Sequence, residues 1–292
     1  MTDAALPTEM WLQGGAGRIL TRHWAAVGTP SASLVVCPGF NAHSGHYMRA
    51  AQAFAEAGFA VTALDLRGRG QSDGERFYVE SIEDYVADLK LAAALARSAH
   101  PDLPLFLLGH SAGGVTAVEY ALDGYGPLDG LICESFAFRA YAPDFALKLL
   151  EGADHIAPHL RVLKLKNEDF SRDADWVAQL NADPLTQGET QPVSTVAALA
   201  RAGERLEREL GRITLPVLIL HGTADRATRP DGSQQFFDEA ASADKTLKLY
   251  DGHVHDLLND LGREDVLNDI VAWIAARSKR PVLEPHMPHP AA

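Results

Sequence analysis

The chain has 292 residues, 47% of them hydrophobic, which suits one large domain with an insertion or two small domains and rules out general disorder. Its 26 basic and 39 acidic side chains leave a formal charge of -13, which repels phosphate backbones and argues against nucleic acid as a partner. Two cysteines, Cys37 and Cys133, imply no disulfide framework. The opening carries no basic segment followed by an apolar one, and nowhere do about 18 apolar residues run together, so the expected location is cytoplasmic.

In chain order, strand-like runs at Gly17 to Ala25 and Ser33 to Cys37 are followed by a predicted helix over Tyr47 to Ala57 and a strand from Phe59 to Leu66. Ser81 is placed to cap a helix through Ala96, whose Ile82, Tyr85, Val86 and Leu89 recur at helical spacing. Strands at Leu103 to Leu108 and Leu128 to Cys133 come next. The rhythm resumes later with a strand at Leu215 to Leu220, a helix near Ser233 to Ala241, a strand at Thr246 to Tyr250 and a helix at Arg263 to Arg277. Such alternation predicts an α/β fold, a mostly parallel central sheet flanked by helices. Residues 1–138 and 213–279 form the expected core. The stretch 139–212 reads as an inserted helical cap, because a structureless loop that long is improbable. Residues 280–292, with four prolines and no periodicity, read as a flexible tail in which His286 and His289 are solvated.

The most informative segment is LPLFLLGHSAGG, Leu103 to Gly114, where an apolar strand ends in Gly109-His110-Ser111-Ala112-Gly113 and passes at once into helix formers. That is the setting of a nucleophile elbow, with Ser111 at the apex and glycines where side chains would collide. A serine hydroxyl needs a base to take its proton and an acid to hold that base in one tautomer. Both follow in the order such an elbow takes: Asp225 after the strand Leu215 to Leu220, then His253 and His255 after Thr246 to Tyr250. Of the two histidines, His255 is preferred. His110 is expected to pack beside the sheet, since neighbours at a sharp turn point apart, and His221 to shape the Asp225 loop. Asp251 and Asp256 are expected to be solvated. The N–H groups of Ala112, at the helix start, and Phe40, in the turn closing Ser33 to Cys37, are the candidate oxyanion donors, each able to supply roughly 3 kcal/mol.

These pieces, with PGFNAHSGHY at Pro38 to Tyr47, DLRGRGQSDG at Asp65 to Gly74, DPL at Asp183 to Leu185 and HGTADRAT at His221 to Thr228, resemble the monoacylglycerol lipase and lysophospholipase-like branch of the α/β-hydrolase fold, also grouped with serine aminopeptidases. The resemblance runs from about Gly17 to Arg277. It implies the same roles for Ser111, Asp225, His255, Phe40 and Ala112, a helical cap that admits an acyl chain, no cofactor and no metal. The chain departs from the family in having Pro38-Gly39 for the usual HG, Ala42 and His46 for a Glu and an Arg near the glycerol, and Leu258 for a second histidine. Fewer polar partners for a glycerol head, at about 1 to 3 kcal/mol per lost buried hydrogen bond, make monoacylglycerol one ester among several.

The expected activity is therefore acyl-ester hydrolysis through an acyl-serine, on a monoacyl lipid or other small carboxylic ester. His46, Phe145 and Leu149 are candidate substrate-binding residues. Phe145, Leu149, Ile156, Leu160 and Leu163 are spaced to share a helical face, which would either line an acyl tunnel, make transient membrane or micelle contact, or seat the cap on the core. The alternatives are an aminopeptidase or amidase, with Glu151, Asp154, Glu168 and Asp169 as candidate ammonium ligands, or a silent binding protein of the same fold.

Overall fold

The computed structural model describes residues 6–139, 148 and 152–278. It opens with an antiparallel pair, β1 (Thr8–Gly14) and β2 (Gly17–Trp24), turning between Gly14 and Gly17. β1 escapes the sequence reading because TEMWLQG is exposed along most of its length and shows no buried face to mark it as a strand. Next come β3 (Ala32–Cys37), α1 (Met48–Glu56), β4 (Phe59–Leu64), α2 (Ile82–Ala99), β5 (Leu105–His110), α3 (Ala112–Leu122) and β6 (Gly130–Glu134). Ser81 caps α2 by accepting the Glu83 N–H at 3.2 Å.

The inserted stretch contributes β7 (Arg161–Leu163), α4 (Ala174–Ala182), β8 (Gln191–Pro192) and α5 (Val193–Glu209). β9 (Val217–Gly222), α6 (Pro230–Glu239), β10 (Lys245–Tyr250) and α7 (Arg263–Ser278) complete the order. The insertion is thus helical only in part. Arg161–Leu163 pairs antiparallel with Gln191–Pro192, so Leu163 lies on a strand and cannot share a helical face with Ile156 and Leu160. Ile156, Leu160 and Leu163 are 87%, 59% and 37% exposed, so they do not seat the insertion on the core. Phe145 and Leu149 lie outside the described residues.

Among the described residues one eight-stranded sheet runs β1-β2-β4-β3-β5-β6-β9-β10. β2 is antiparallel to both neighbours, and every pair from β4 to β10 is parallel. Strands covered on both faces read as continuous apolar runs. In β5, Leu105 and Leu107 face a core shared with α2, α3 and α5, while Phe106 and Leu108 face one shared with α1 and α7. The chain winds outward in both directions from the β3–β5 pair, which opens a crevice at the carboxyl ends of these two strands. Phe40 follows β3 and Ser111 follows β5, so both flank that crevice.

Candidate active site

Ser111 occupies φ 56°, ψ −120°, a region that side chains rarely adopt and that costs about 1 to 3 kcal/mol unless the surroundings impose it. They do. Its N–H donates to the Glu134 carbonyl of β6 at 2.9 Å, and its own carbonyl accepts from Gly114 at 2.9 Å and Ala137 at 3.3 Å. A side chain on Gly109 would strike the Gly113 carbonyl and one on Gly113 the Cys37 carbonyl, which is why both positions flanking the apex lack one.

Asp225 lies in the loop after β9, tied by its own turn: Oδ1 accepts the N–H groups of Ala227 at 2.7 Å and Thr228 at 3.0 Å. Oδ2 meets the Thr228 hydroxyl at 2.8 Å, His221 Nε2 at 3.0 Å and His255 Nδ1 at 2.8 Å. Burial alone would raise this carboxyl, yet the imidazoles of His255 and His221 hold it far below the ordinary carboxylate range. His221 in turn bonds Ser233 through Nδ1 at 2.7 Å, so it shapes the loop as expected. Thr228, a third partner of Asp225, is not singled out by the sequence reading; it appears there only as the final T of HGTADRAT.

His255 is wholly buried, with its ring 4.9 Å from His110 and edge-on to Phe170 at 4.9 Å. Because Nδ1 faces Asp225, the base lone pair belongs to Nε2. That nitrogen makes no hydrogen bond to the described residues, so the resting geometry holds no Ser111–His255 bond. Such contacts are often long before substrate binds. The competing His253 packs on Tyr250 instead, with Nδ1 3.7 Å from Asp260.

A Cβ on Gly39 would lie 2.8 Å from Ser111 Cβ and 2.8 Å from the His110 carbonyl, an approach that only glycine permits. The peptide leading into Phe40 therefore runs beside the serine. Neither the Phe40 nor the Ala112 N–H donates to another described residue.

His46 is bound by the insertion: its Nε2 and that of His43 each lie 2.7 Å from Asp183 Oδ2, beside a cleft of about 330 Å³ lined also by Trp176, Leu180 and Pro184. These bonds, His46 first, hold the Asp183 carboxyl well below its usual range against the effect of burial. Two histidines and an aspartate also suit a divalent cation, but His43 Nδ1 accepts the Gly45 N–H at 3.0 Å, which puts the ring proton on Nε2. The trio is a hydrogen-bonded tether.

Asp256 is not solvated as expected. It is buried, its N–H on the Phe170 carbonyl at 2.8 Å and its carboxylate taking Trp176 Nε1 at 3.1 Å and Asn259 Nδ2 at 3.0 Å. The cause is the insertion, whose Phe170 and Trp176 fold over Asp256 and remove it from water. Glu134, at the end of β6, stands near it with Oε1 accepting the Leu258 N–H at 3.2 Å. Burial pushes both carboxyls up, joined at Glu134 by the charge of Asp256 and opposed at Asp256 by the hydrogen bonds from Asn259 and Trp176. Asp251 keeps the exposure expected of it.

A mostly parallel sheet with a strained serine after β5, an aspartate after β9 and a histidine after β10 defines an α/β-hydrolase. The family model of the serine aminopeptidases, S33, matches residues 28–262, and the chain belongs to that family. It is 31% identical over 264 residues to the monoacylglycerol lipase of Mycolicibacterium smegmatis, spanning 90% of this chain and 94% of that protein. Human monoglyceride lipase is 32% identical over 265 residues, 89% of this chain and 88% of its own length. The crystal structure of Paleococcus ferrophilus monoacylglycerol lipase matches with a TM-score of 0.79 at 30% identity, covering 89% of this chain and 99% of that one.

Proposed function

We propose that the protein is a serine ester hydrolase acting on monoacyl lipids or similar small carboxylic esters, with Ser111 as nucleophile, His255 as base and Asp225 as its orienting acid. The observation that carries this reading is the 2.8 Å bond from His255 Nδ1 to Asp225, which sets the imidazole's tautomer in a loop packed against the residue preceding Ser111. His255 Nε2 takes the hydroxyl proton as Oγ bonds the acyl carbon. The negative charge formed on the carbonyl oxygen is met by the N–H groups of Phe40 and Ala112. When the intermediate collapses, the ester C–O bond breaks and the alcohol leaves with the proton from His255. Water, deprotonated by the same imidazole, then releases the acid and restores Ser111.

Residues 139–212 act in this reading as a cap over the crevice, and the exposed Ile156, Leu160 and Leu163 offer an apolar surface to a micelle or lipid monomer. His46 would shape the entrance through its bond to Asp183. The similarity to two monoacylglycerol lipases above 30% identity over most of both chains supports the lipid-ester substrate. An aminopeptidase reading is disfavoured, since Asp154 is taken by Arg201 at 3.0 Å and Glu168 accepts from Asn181 at 3.3 Å. Ser111→Ala should lower turnover of a monoacylglycerol by a factor on the order of a million and abolish labelling by a fluorophosphonate. Near-normal turnover in that variant would remove Ser111 from the mechanism.

A further inference from the structure

The loop carrying the Phe40 N–H is gripped from outside the core. Asn41, the next residue, has φ 53°, in the left-handed region, and its N–H donates to Glu189 Oε1 at 2.9 Å. Glu189 belongs to the insertion, just before β8. The same oxygen takes Arg69 Nη1 and Gln191 Nε2, the latter at 2.6 Å. Arg69 lies with its guanidinium carbon 4.3 Å over the Phe40 ring, donates through Nε to the Tyr85 hydroxyl at 2.9 Å and through Nη2 to Gln191 Oε1 at 2.8 Å. Both charged side chains are 1% exposed.

Burying an ion pair this completely is a poor route to stability, because desolvation offsets most of the attraction and apolar replacements often do as well. The pair's contacts point to another role. One partner holds the Asn41 N–H and the other covers the Phe40 ring, so the Phe40–Asn41 peptide and the Phe40 side chain are both held, immediately after the Gly39–Phe40 peptide that carries the Phe40 N–H. We propose that Glu189 and Arg69 are positioning residues for the oxyanion pocket, through which the insertion completes the catalytic site as well as covering it. The proposal rests on the assignment of Phe40 as an oxyanion donor. Displacing such a donor by about 1 Å is worth up to roughly 100-fold in rate, and the loss falls on the transition state.

Two double variants separate positioning from stability. Arg69→Met with Glu189→Gln removes both charges and keeps an acceptor for the Asn41 N–H; Arg69→Met with Glu189→Met removes the acceptor too. The second should lose about 10- to 100-fold in kcat on a nitrophenyl ester with KM within about threefold, and bind an alkyl trifluoromethyl ketone correspondingly more weakly. The first should recover most of that loss. Equal kcat in the two doubles, or a loss confined to KM, overturns the proposal. Should either double fail to fold, Glu189→Asp decides: a kcat about tenfold lower at unchanged KM supports positioning, and an unaltered kcat refutes it. Fluorophosphonate labelling of the parent enzyme is read alongside. An unlabelled parent breaks the Ser111 assignment itself, whereas a labelled parent with indistinguishable doubles breaks only the Glu189 and Arg69 roles.

Discussion

A single carboxylate oxygen, Asp225 Oδ2, receives two imidazoles and a hydroxyl, and only one of those partners is placed to serve as base. His221 is closed off by Ser233 on its other nitrogen, whereas the Nε2 of His255 has no protein partner among the described residues. In the proposed mechanism the carboxylate keeps the His255 proton on Nδ1. Asp225→Asn preserves volume and lets the amide present its N–H₂ to that nitrogen, which drives the imidazole into the wrong tautomer. Turnover should fall by about 10⁴-fold while the fold persists, and a pre-steady-state acylation rate is the measurement to make. A drop of tenfold or less would mean that His221 or another group orients the base.

At the scale of elements, the hydrogen-bonded contacts by which α4 and its flanks meet the core include Asp183 with His43 and His46, Trp176 with Asp256, and Glu189 with Asn41. Each of these lands within a few residues of a position in the proposed catalytic machinery, Phe40 or His255. Asp183→Asn should cost about 1 to 3 kcal/mol, read as a lower unfolding temperature at pH 7 and faster hydrogen exchange across α4. The sign of the pH dependence follows from the depressed carboxyl. A folded-state value below the unfolded one, near 3.9, means the stabilisation is present above about pH 4 and is lost as the pH falls through the folded value. The gap between parent and variant should therefore hold from pH 7 to about 5 and close in more acidic buffer. Equal stability at pH 7 would show that the tether does not bear on folding.

For the whole molecule, the two apolar layers on either face of the sheet leave Cys37 and Cys133 fully enclosed near its centre, and burial pushes both thiols up. A thiol that is neither ionised nor exposed reacts only when the molecule opens. Native protein should react with neither equivalent of a disulfide reagent over minutes and with both after denaturation. Rapid loss of one thiol under native conditions would place a local opening at β3 or β6.

The alternation of apolar runs with helical spacing was enough to specify a parallel α/β sheet, and the chain order of Ser111, Asp225 and His255 was enough to nominate a triad, because both are local patterns written in adjacent residues. β1 was invisible, since an exposed edge strand has no buried face. Asp256 looked like a solvated loop residue because nothing nearby in sequence records that Phe170 and Trp176 fold over it. The grip of Glu189 on Asn41 spans 148 positions and exists only once the chain closes on itself. Sequence determined the alternating strands and helices of the core and which residues stand at their strand ends; the tertiary structure decided which charges are buried together, because desolvation is a property of everything that packs around a group.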